Sequence, residues 1–409
     1  MATPRLSLAV IFVTLVIDML GIGLMWPILP IFIRELSGGD VASASSTYGW
    51  LTALYSLMQF AFGPAMGALS DRFGRRAGIV ASLVGLTLDY IILGFAPNLW
   101  WVAAARIVGG IMGASIATCY AYVADISPPD RRAQNFGVLG VALGLGFIAG
   151  PFIGGVLGDY GTRVPIFAAV GVTLADLAFA YFFLPESLPR DRRRAFRLAE
   201  ANPVGAVAFF LRHPTIVALV VVIVLGTFAE RLLETNWVLY AGYRYSWGPG
   251  DVGISLAFFG LLFALVQGGL VRVAVPRLGE RRTLIIGLAV GAVSLALFAF
   301  ASRGWMIYAI LVPYVLGWGC AGPAVQALMT RAVSPTEKGL LQGALSSLTT
   351  ATGVIAPPVG TELFAFFIGP GAPVIFPGIA FLLGAVLFLV GLGLASRRSF
   401  AAVATTSMG

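Results

Sequence analysis

Charge, cysteine, histidine and lysine are all scarce in this sequence. Only 11% of its 409 residues are charged, whereas 59% are apolar, and the mean hydropathy is +0.93. An ordinary globular domain carries about 25% charged residues, so this chain lacks the polar surface that a water-soluble body of its size needs. The composition excludes a soluble globular protein and indicates a membrane protein.

The few cysteines and the single histidine exclude several kinds of chemistry. Cys119 and Cys320 both lie in apolar stretches, which argues against a disulfide framework and favours small buried side chains. One histidine, His213, cannot supply a metal cluster or a hydrolytic triad in its usual form. No glycine-rich loop is followed by Lys and Ser or Thr, so ATP is not the obvious energy source. We therefore expect neither an enzyme nor a bound cofactor or metal.

Twelve apolar runs are long enough to cross a bilayer, whose hydrocarbon core of about 30 Å requires about 20 helical residues. An all-α membrane protein with twelve transmembrane helices is the predicted fold class. The predicted spans are about 7–32, 48–68, 77–95, 99–124, 133–158, 164–184, 215–237, 252–274, 283–301, 305–330, 339–366 and 373–395.

The basic residues between these spans predict the orientation of the chain. With the N terminus inside, 20 of the 26 basic residues fall in inward segments and four in outward ones. The positive-inside rule then places both termini in the cytoplasm. Because the bases serve topology, we expect membrane lipids and no nucleic acid as partners.

The two halves of the sequence repeat each other. The segment 127–131 (SPPDR) reappears as 334–338 (SPTEK), and the segment 72–76 (RFGRR) pairs with 277–281 (RLGER). Two matches at nearly the same spacing indicate a duplicated six-helix unit. Parallel repeats of this kind place a substrate path between the halves and work by alternating access.

The duplication predicts three parts of the chain. Residues 1–184 form an N-terminal six-helix bundle, residues 185–214 a polar cytoplasmic linker, and residues 215–409 a C-terminal six-helix bundle that is pseudo-symmetric to the first.

The turn between spans two and three, Gly67–Arg76, combines glycines with charges. Asp71 can stabilise the start of the following helix, and Arg75 lies four residues on, within ion-pair reach. The turn is either a capped anchor or a latch that opens when Asp71 leaves a partner elsewhere in the bundle.

Span five carries a glycine at every fourth position. Gly146, Gly150, Gly154 and Gly158 share one helical face, where a neighbouring helix can approach closely, and Pro151 bends the helix. This pattern predicts a packing seam.

Charges inside spans are costly unless they are paired, wetted or neutralised. Asp18 in span one and Asp89 in span three can bind and release a proton, since removal from water favours the neutral acid. The alternative is a carboxylate that is permanently hydrogen-bonded to a helix. Arg106 in span four stays charged and needs acceptors, either a nearby carboxylate or backbone carbonyls.

The turn described above resembles the signature of the major facilitator superfamily, and the resemblance to its tetracycline/proton antiporter group covers essentially the whole chain. It is carried by that turn, by Asp18–Leu24 with Pro27 and Pro30, by Leu86–Tyr90, and by Leu341–Ile355.

The resemblance implies export of amphiphilic drugs against proton entry, with Asp18, Asp89 and Arg106 in proton coupling. It also implies a charge relay of Asp125 with Arg75 or Asp71 that gates the carrier. The glycines of span five together with Pro151 resemble the antiporter signature, which favours exchange.

Span seven holds an unusual charge cluster, Glu230, Arg231 and Glu234, followed by Asn236 and Trp237. Arg231 and Glu234 can pair on one helical face. The cluster either faces the central cavity and binds a charged or zwitterionic compound, or forms an interfacial group.

With Gln342 of span eleven, these five residues and Asp18 make up the predicted substrate-binding set.

The sequence departs from the family pattern in span nine. The tetracycline exporters carry an acidic residue there that is tied to coupling, whereas this chain has Gly291. Either Asp18 and Asp89 suffice, or Glu230 or Glu234 substitutes, or tetracycline is not the cargo. We expect Asp176 and Glu362 to face water or cap polar seams.

With the resemblance, the predicted function is a proton-coupled antiporter that exports tetracycline-like or other amphiphilic drugs across the bacterial inner membrane as a monomer. The alternative is proton-coupled transport of a lipid or a metabolite in the same fold.

Overall fold

The computed structural model describes residues 4–113, 115–128, 130–193, 210, 214–334 and 337–397. His213 and most of the predicted linker lie outside these residues. Within them the chain forms fifteen α-helices. They are α1 (Pro4–Met25), α2 (Leu29–Leu36), α3 (Val41–Phe73), α4 (Arg75–Gly94), α5 (Leu99–Met112), α6 (Ser115–Ile126), α7 (Arg132–Gly158), α8 (Arg163–Phe183), α9 (Pro214–Tyr245), α10 (Pro249–Leu265), α11 (Val271–Leu278), α12 (Glu280–Phe300), α13 (Gly304–Arg331), α14 (Lys338–Ile368) and α15 (Ile379–Ser396).

The predicted all-helical membrane fold is confirmed. Eleven helical stretches of the described chain are long and apolar enough to cross a membrane. The remaining predicted span, 48–68, lies inside α3, whose 33 residues also exceed the length that a bilayer requires.

Three predicted spans are interrupted rather than continuous. Span one divides into α1 and α2 around Pro27, which lacks the N–H that a helix interior needs. Span four divides into α5 and α6 at Gly113. Span eight continues from α10 through a π-helical segment, Val266–Leu270, into α11.

The first compact unit comprises residues 1–40, 54–202 and 248–260. In it α1 packs against α7, α8 and α6, while α4 packs against α5, α6 and α8. Aliphatic side chains such as Ile11, Leu15 and Leu83 form its core around the buried ring of Tyr122. The helices that carry Asp18, Asp89 and Arg106 thus meet inside one unit.

The second unit comprises residues 41–53, 203–247 and 261–409. Here α9 packs against α13, α14 and α15, and α12 packs against α13 and α15. Its core is aromatic: Tyr240 contacts Phe381 at a ring-centroid distance of 4.8 Å and donates a hydrogen bond of 2.8 Å to the carbonyl of Phe298. The domain boundaries at residues 184 and 215 stay a prediction.

Candidate functional site

A buried ion pair joins α4 to α5. The Arg106 guanidinium donates from Nη2 to both carboxylate oxygens of Asp89, at 2.8 and 2.7 Å, and also lies over the ring of Tyr55. Asp89 is 1% exposed and Arg106 8%. A side chain at Gly109 would collide with the Asp89 carboxylate, so that glycine makes room for the pair. Each charge neutralises the other where water is excluded.

Asp18 on α1 is buried without a cationic partner among the described residues. The hydroxyl of Ser115 on α6 donates to its Oδ2 at 2.7 Å, and its Oδ1 has no hydrogen-bond partner. In this structure Arg106 therefore pairs with Asp89 and not with Asp18. A half-satisfied carboxyl that is 1% exposed is costly in its ionised form.

The three predicted gating residues meet at the turn between α3 and α4. Arg75 forms ion pairs with Asp71 through Nη1 and with Asp125, at the end of α6, through Nε at 3.1 Å. It also donates to the hydroxyl of Ser70 at 2.7 Å. Asp125 thus ties the end of α6 to the start of α4.

Sequence reasoning missed Glu186, which follows α8. Its Oε1 accepts hydrogen bonds from the backbone N–H of Arg75 at 2.8 Å and of Ser187 and Leu188 at 3.0 Å. The carboxylate occupies the space beside Gly74, whose φ of +109° few other residues adopt. Glu186 directly follows span six, on the same predicted side of the membrane as the arginine-rich turn. This position was the signal from which a contact with the turn could have been predicted.

The glycine face of α7 packs backbone to backbone against α1. A Cβ on Gly150 would lie 2.7 Å from the Cα of Gly23, and one on Gly154 would lie 2.8 Å from the Cα of Leu24. Gly146 meets the carbonyl of Val16 in the same way, at 2.8 Å. The predicted packing seam is confirmed by these contacts, and it fixes the helix that carries Asp18.

The structure keeps the three charged residues of the α9 cluster together and separates them from the two residues that follow. Arg231 and Glu234 form the predicted ion pair at 2.7 Å, with 45% of the Arg231 side chain exposed. Glu230 lies beside Glu234 and Trp318. These charged groups lie together on one part of the second unit.

Asn236 and Trp237 lie instead in the core of the second unit. Asn236 is 1% exposed and donates to the carbonyl of Leu232 at 2.9 Å, whereas Trp237 packs edge-on against Phe298. Gln342 on α14 is exposed and accepts a hydrogen bond from Gln326 at 3.1 Å. The structure thus leaves Arg231, Glu234 and Gln342 accessible and buries Asn236 and Trp237.

The span-nine position that lacks an acid is closely packed. A Cβ on Gly291 of α12 would lie 2.6 Å from the Cδ2 of Phe388 on α15. No carboxylate fits at that position without displacing the ring.

The two charges left as minor predictions behave differently. Glu362 is exposed and accepts hydrogen bonds from Ser46 and from the indole of Trp50, at 2.9 Å for the latter. Asp176 on α8 is 0% exposed. This burial excludes the first alternative for Asp176, that it faces water, and leaves the second, a place in a polar seam between helices.

The structure combines helices of membrane-spanning length with a buried ion pair, a second buried carboxyl and a charged turn between spans. This combination is typical of a multipass membrane transporter. The chain belongs to the Major Facilitator Superfamily, whose model matches residues 11–276 and 245–402. It is a secondary transporter and not an enzyme.

Known proteins are similar to it over nearly their whole length. "Tetracycline resistance protein, class C" of Escherichia coli is 38% identical over 98% of this chain and 99% of its own. "Tetracycline resistance protein, class B" of the same organism is 33% identical over 94% of each chain. The crystal structure of the human organic anion transporter MFSD10 (TETRAN) has a TM-score of 0.72, 23% identity, and coverage of 97% of this chain and 100% of that one. This structural likeness bears on the fold alone.

Proposed function

We propose that this protein exports tetracycline-like or other amphiphilic drugs across the bacterial inner membrane in exchange for protons, by alternating access. The names of its relatives support tetracycline as the first candidate cargo. The carrier works as a monomer surrounded by lipid, with both termini in the cytoplasm, as the distribution of arginines indicates.

The observation that carries proton coupling is the state of Asp18. This carboxyl is 1% exposed, one of its oxygens has no hydrogen-bond partner in the described part of the chain, and its hydrogen bond comes from a neutral serine. Such a group is stable as the neutral acid and becomes costly once it ionises, so its charge state responds to water access. Asp89, held by Arg106, is the second ionisable site of the same unit.

Packing at Gly291 supports coupling that does not use span nine. Phe388 fills the space beside Gly291, the span-nine position at which the family resemblance implies an acid. The proton sites of this chain are then Asp18 and Asp89, and the exposed pair Arg231–Glu234, with Gln342, supplies polar contacts for the cargo.

The test is uptake of tetracycline into proteoliposomes driven by an imposed pH gradient. Wild type and Asp130→Asn should show gradient-driven uptake that an uncoupler abolishes, because Asp130 is an exposed loop carboxylate. Asp18→Asn should lose the response to the gradient while it still catalyses downhill tetracycline movement.

Gradient-driven uptake by Asp18→Asn at the wild-type rate would overturn the assignment to Asp18. If wild type transports no tetracycline or unrelated amphiphilic cation but moves a fluorescent lipid, the drug assignment fails.

A further inference from the structure

Asp176 lies against the helix that carries Asp18. α1 and α8 pack together, and Gly21 of α1 contacts Thr173 of α8: a Cβ on Gly21 would lie 3.1 Å from the Thr173 Cγ2. Consecutive spans run in opposite directions, so α1 in span one and α8 in span six are antiparallel. The residue one turn before Gly21 therefore lies at the same level as the residue one turn after Thr173. That register places Asp18 beside Asp176.

Both acids have unsatisfied oxygens. Neither carboxylate oxygen of Asp176 has a hydrogen-bond partner of standard geometry among the described residues, and the same holds for the Oδ1 of Asp18. The hydroxyl of Thr14, one turn before Asp18 on α1, is 1% exposed and lies close enough to Asp176 to interact with it, but it forms no hydrogen bond of standard geometry with any described residue. Three polar groups from two helices thus have incompletely satisfied hydrogen bonds in one region without access to water, which is unusual for buried polar groups.

No cation among the described residues forms an ion pair with either acid: Arg106, which lies near Tyr90, is held by Asp89. α1 contributes Asp18, α6 contributes Cys119, and α4 contributes Tyr90 near Gly21. Arg76 of α4 reaches α8 only at the carbonyl of Tyr181, beyond the acids. α7, the other helix packed on α8, has no ionisable side chain between its first residue and Gly158.

We propose that Asp18 and Asp176 form one proton-binding site in which the two carboxyl groups share a proton. Two neighbouring carboxylates cannot both ionise cheaply in a dry environment, and a proton between them supplies the hydrogen bond that each lacks. The inference rests on the proposed function, because it adds a second carboxyl to the site assigned to Asp18.

The site also has a place for conformational control. Asp18 takes its remaining hydrogen bond from Ser115, the first residue of α6, directly after the interruption of span four. A shift of α6 relative to α1 removes that donor from Asp18 and so changes how tightly the pair holds its proton.

The experiment is an infrared titration of the purified protein, which needs no transport substrate. The carbonyl band of protonated carboxyl groups is followed against pH in wild type, Asp176→Asn and Asp18→Asn. Ser82→Ala is the matched control, since it removes a buried unpartnered hydroxyl from α4. In either Asn variant the remaining acid has no like-charged neighbour, so its band should disappear at a pH lower by about one unit or more.

An unchanged band midpoint in the two Asn variants overturns the shared-proton site. Asp176→Glu keeps the acid and should keep the wild-type midpoint; an equal shift in this variant shows a packing disturbance and contradicts the proposal. Because either Asn variant alone can report the shift, failure of one to fold leaves the test intact. Failure of the proposed function is separate: wild type then shows the shared-proton titration but no gradient-driven transport.

Discussion

At the scale of single residues, the buried guanidinium of Arg106 is held by specific partners. Arg106 has a bidentate carboxylate on one side and the ring of Tyr55 on the other. A planar guanidinium can donate from one nitrogen to the carboxylate while its flat face covers the ring, whereas an ammonium group has no flat face. The Asp89–Arg106 pair is therefore best considered as one unit.

Removal of one member of this pair should cost more than removal of both. Arg106→Ala leaves Asp89 buried and unpaired, and we expect a loss of about 3–5 kcal/mol in the free energy of unfolding. The double variant Arg106→Met with Asp89→Leu should recover most of that loss while remaining inactive in transport. Thermal unfolding in detergent measures both, and equal melting temperatures for the single and double variants would contradict this view.

At the scale of helices, the first unit depends on the close approach of α1 and α7. Gly146, Gly150 and Gly154 bring the two backbones together over about two turns. Small residues are what allow membrane helices to gain dispersion contacts, since the hydrophobic effect does not distinguish lipid from protein. The seam therefore positions Asp18 as well as stabilising the bundle.

Gly150→Ala should separate α1 from α7, because its new methyl group would meet the backbone of Gly23 at 2.7 Å. We expect a loss of about 1–3 kcal/mol in the free energy of unfolding. Gly144→Ala is the control on the same helix, since no atom lies within 4 Å of a Cβ there. Equal unfolding midpoints for the two variants would rule out the seam as a source of stability.

The same kind of ion pair recurs in the two units with its charges exchanged. Arg75 at the start of α4 pairs with Asp125 at the end of α6, whereas Glu280 at the start of α12 pairs with Arg331 at the end of α13. In each pair, the residue that begins its helix directly follows a glycine with positive φ: Gly74 precedes Arg75, and Gly279 precedes Glu280. The repeat in the sequence thus preserves a contact between equivalent helices even though the charges are swapped.

Glu186→Ala should loosen the start of α4, because the backbone N–H of Arg75 loses its acceptor, and it should loosen the segment after α8, because the N–H groups of Ser187 and Leu188 lose theirs. The expected cost is roughly 1–2 kcal/mol, with a change in transport rate if this turn gates the carrier. Asp191→Ala, five residues on in an exposed position, is the control. Unfolding midpoints and initial transport rates measure the effect, and a Glu186→Ala protein that matches the control in both would exclude a role for this cap.

At the scale of the whole molecule, orientation follows from the arginines. Twenty of the 26 basic residues fall in the segments that the proposed topology places inside the cell. Positive charge on short connecting segments decides which of them stay in the cytoplasm and which are carried across the membrane. This global property depends on no single contact.

A labelling experiment tests the proposed orientation. Tyr160 is 79% exposed between α7 and α8, and Asp130 lies in an exposed turn between α6 and α7. Tyr160→Cys should react with a membrane-impermeant maleimide in spheroplasts, whereas Asp130→Cys should react only after lysis. The native Cys119 and Cys320 are buried and give a low background. The reverse pattern would invert the topology.

The sequence predicted well whatever depends on local spacing. Asp71 with Arg75, and Arg231 with Glu234, pair as expected because residues three or four apart share a helical face. The glycine face of α7 followed from the same periodicity. Partners that are far apart in sequence were missed, such as Ser115 for Asp18 and Glu186 for Arg75, which lie 97 and 111 residues apart.

By itself the sequence determined that this is a membrane protein of twelve apolar runs, duplicated, with bases concentrated on one side. Hydrophobic length, periodicity and charge distribution are properties of the linear chain. Only the tertiary structure decided which buried acid has which neighbour: Asp89 pairs with Arg106, Asp18 accepts a hydrogen bond from Ser115, and Asp176 lies against α1, the helix that carries Asp18. The reason is physical, because the approach and register of packed helices set those neighbours, and both arise from the close packing of many side chains at once.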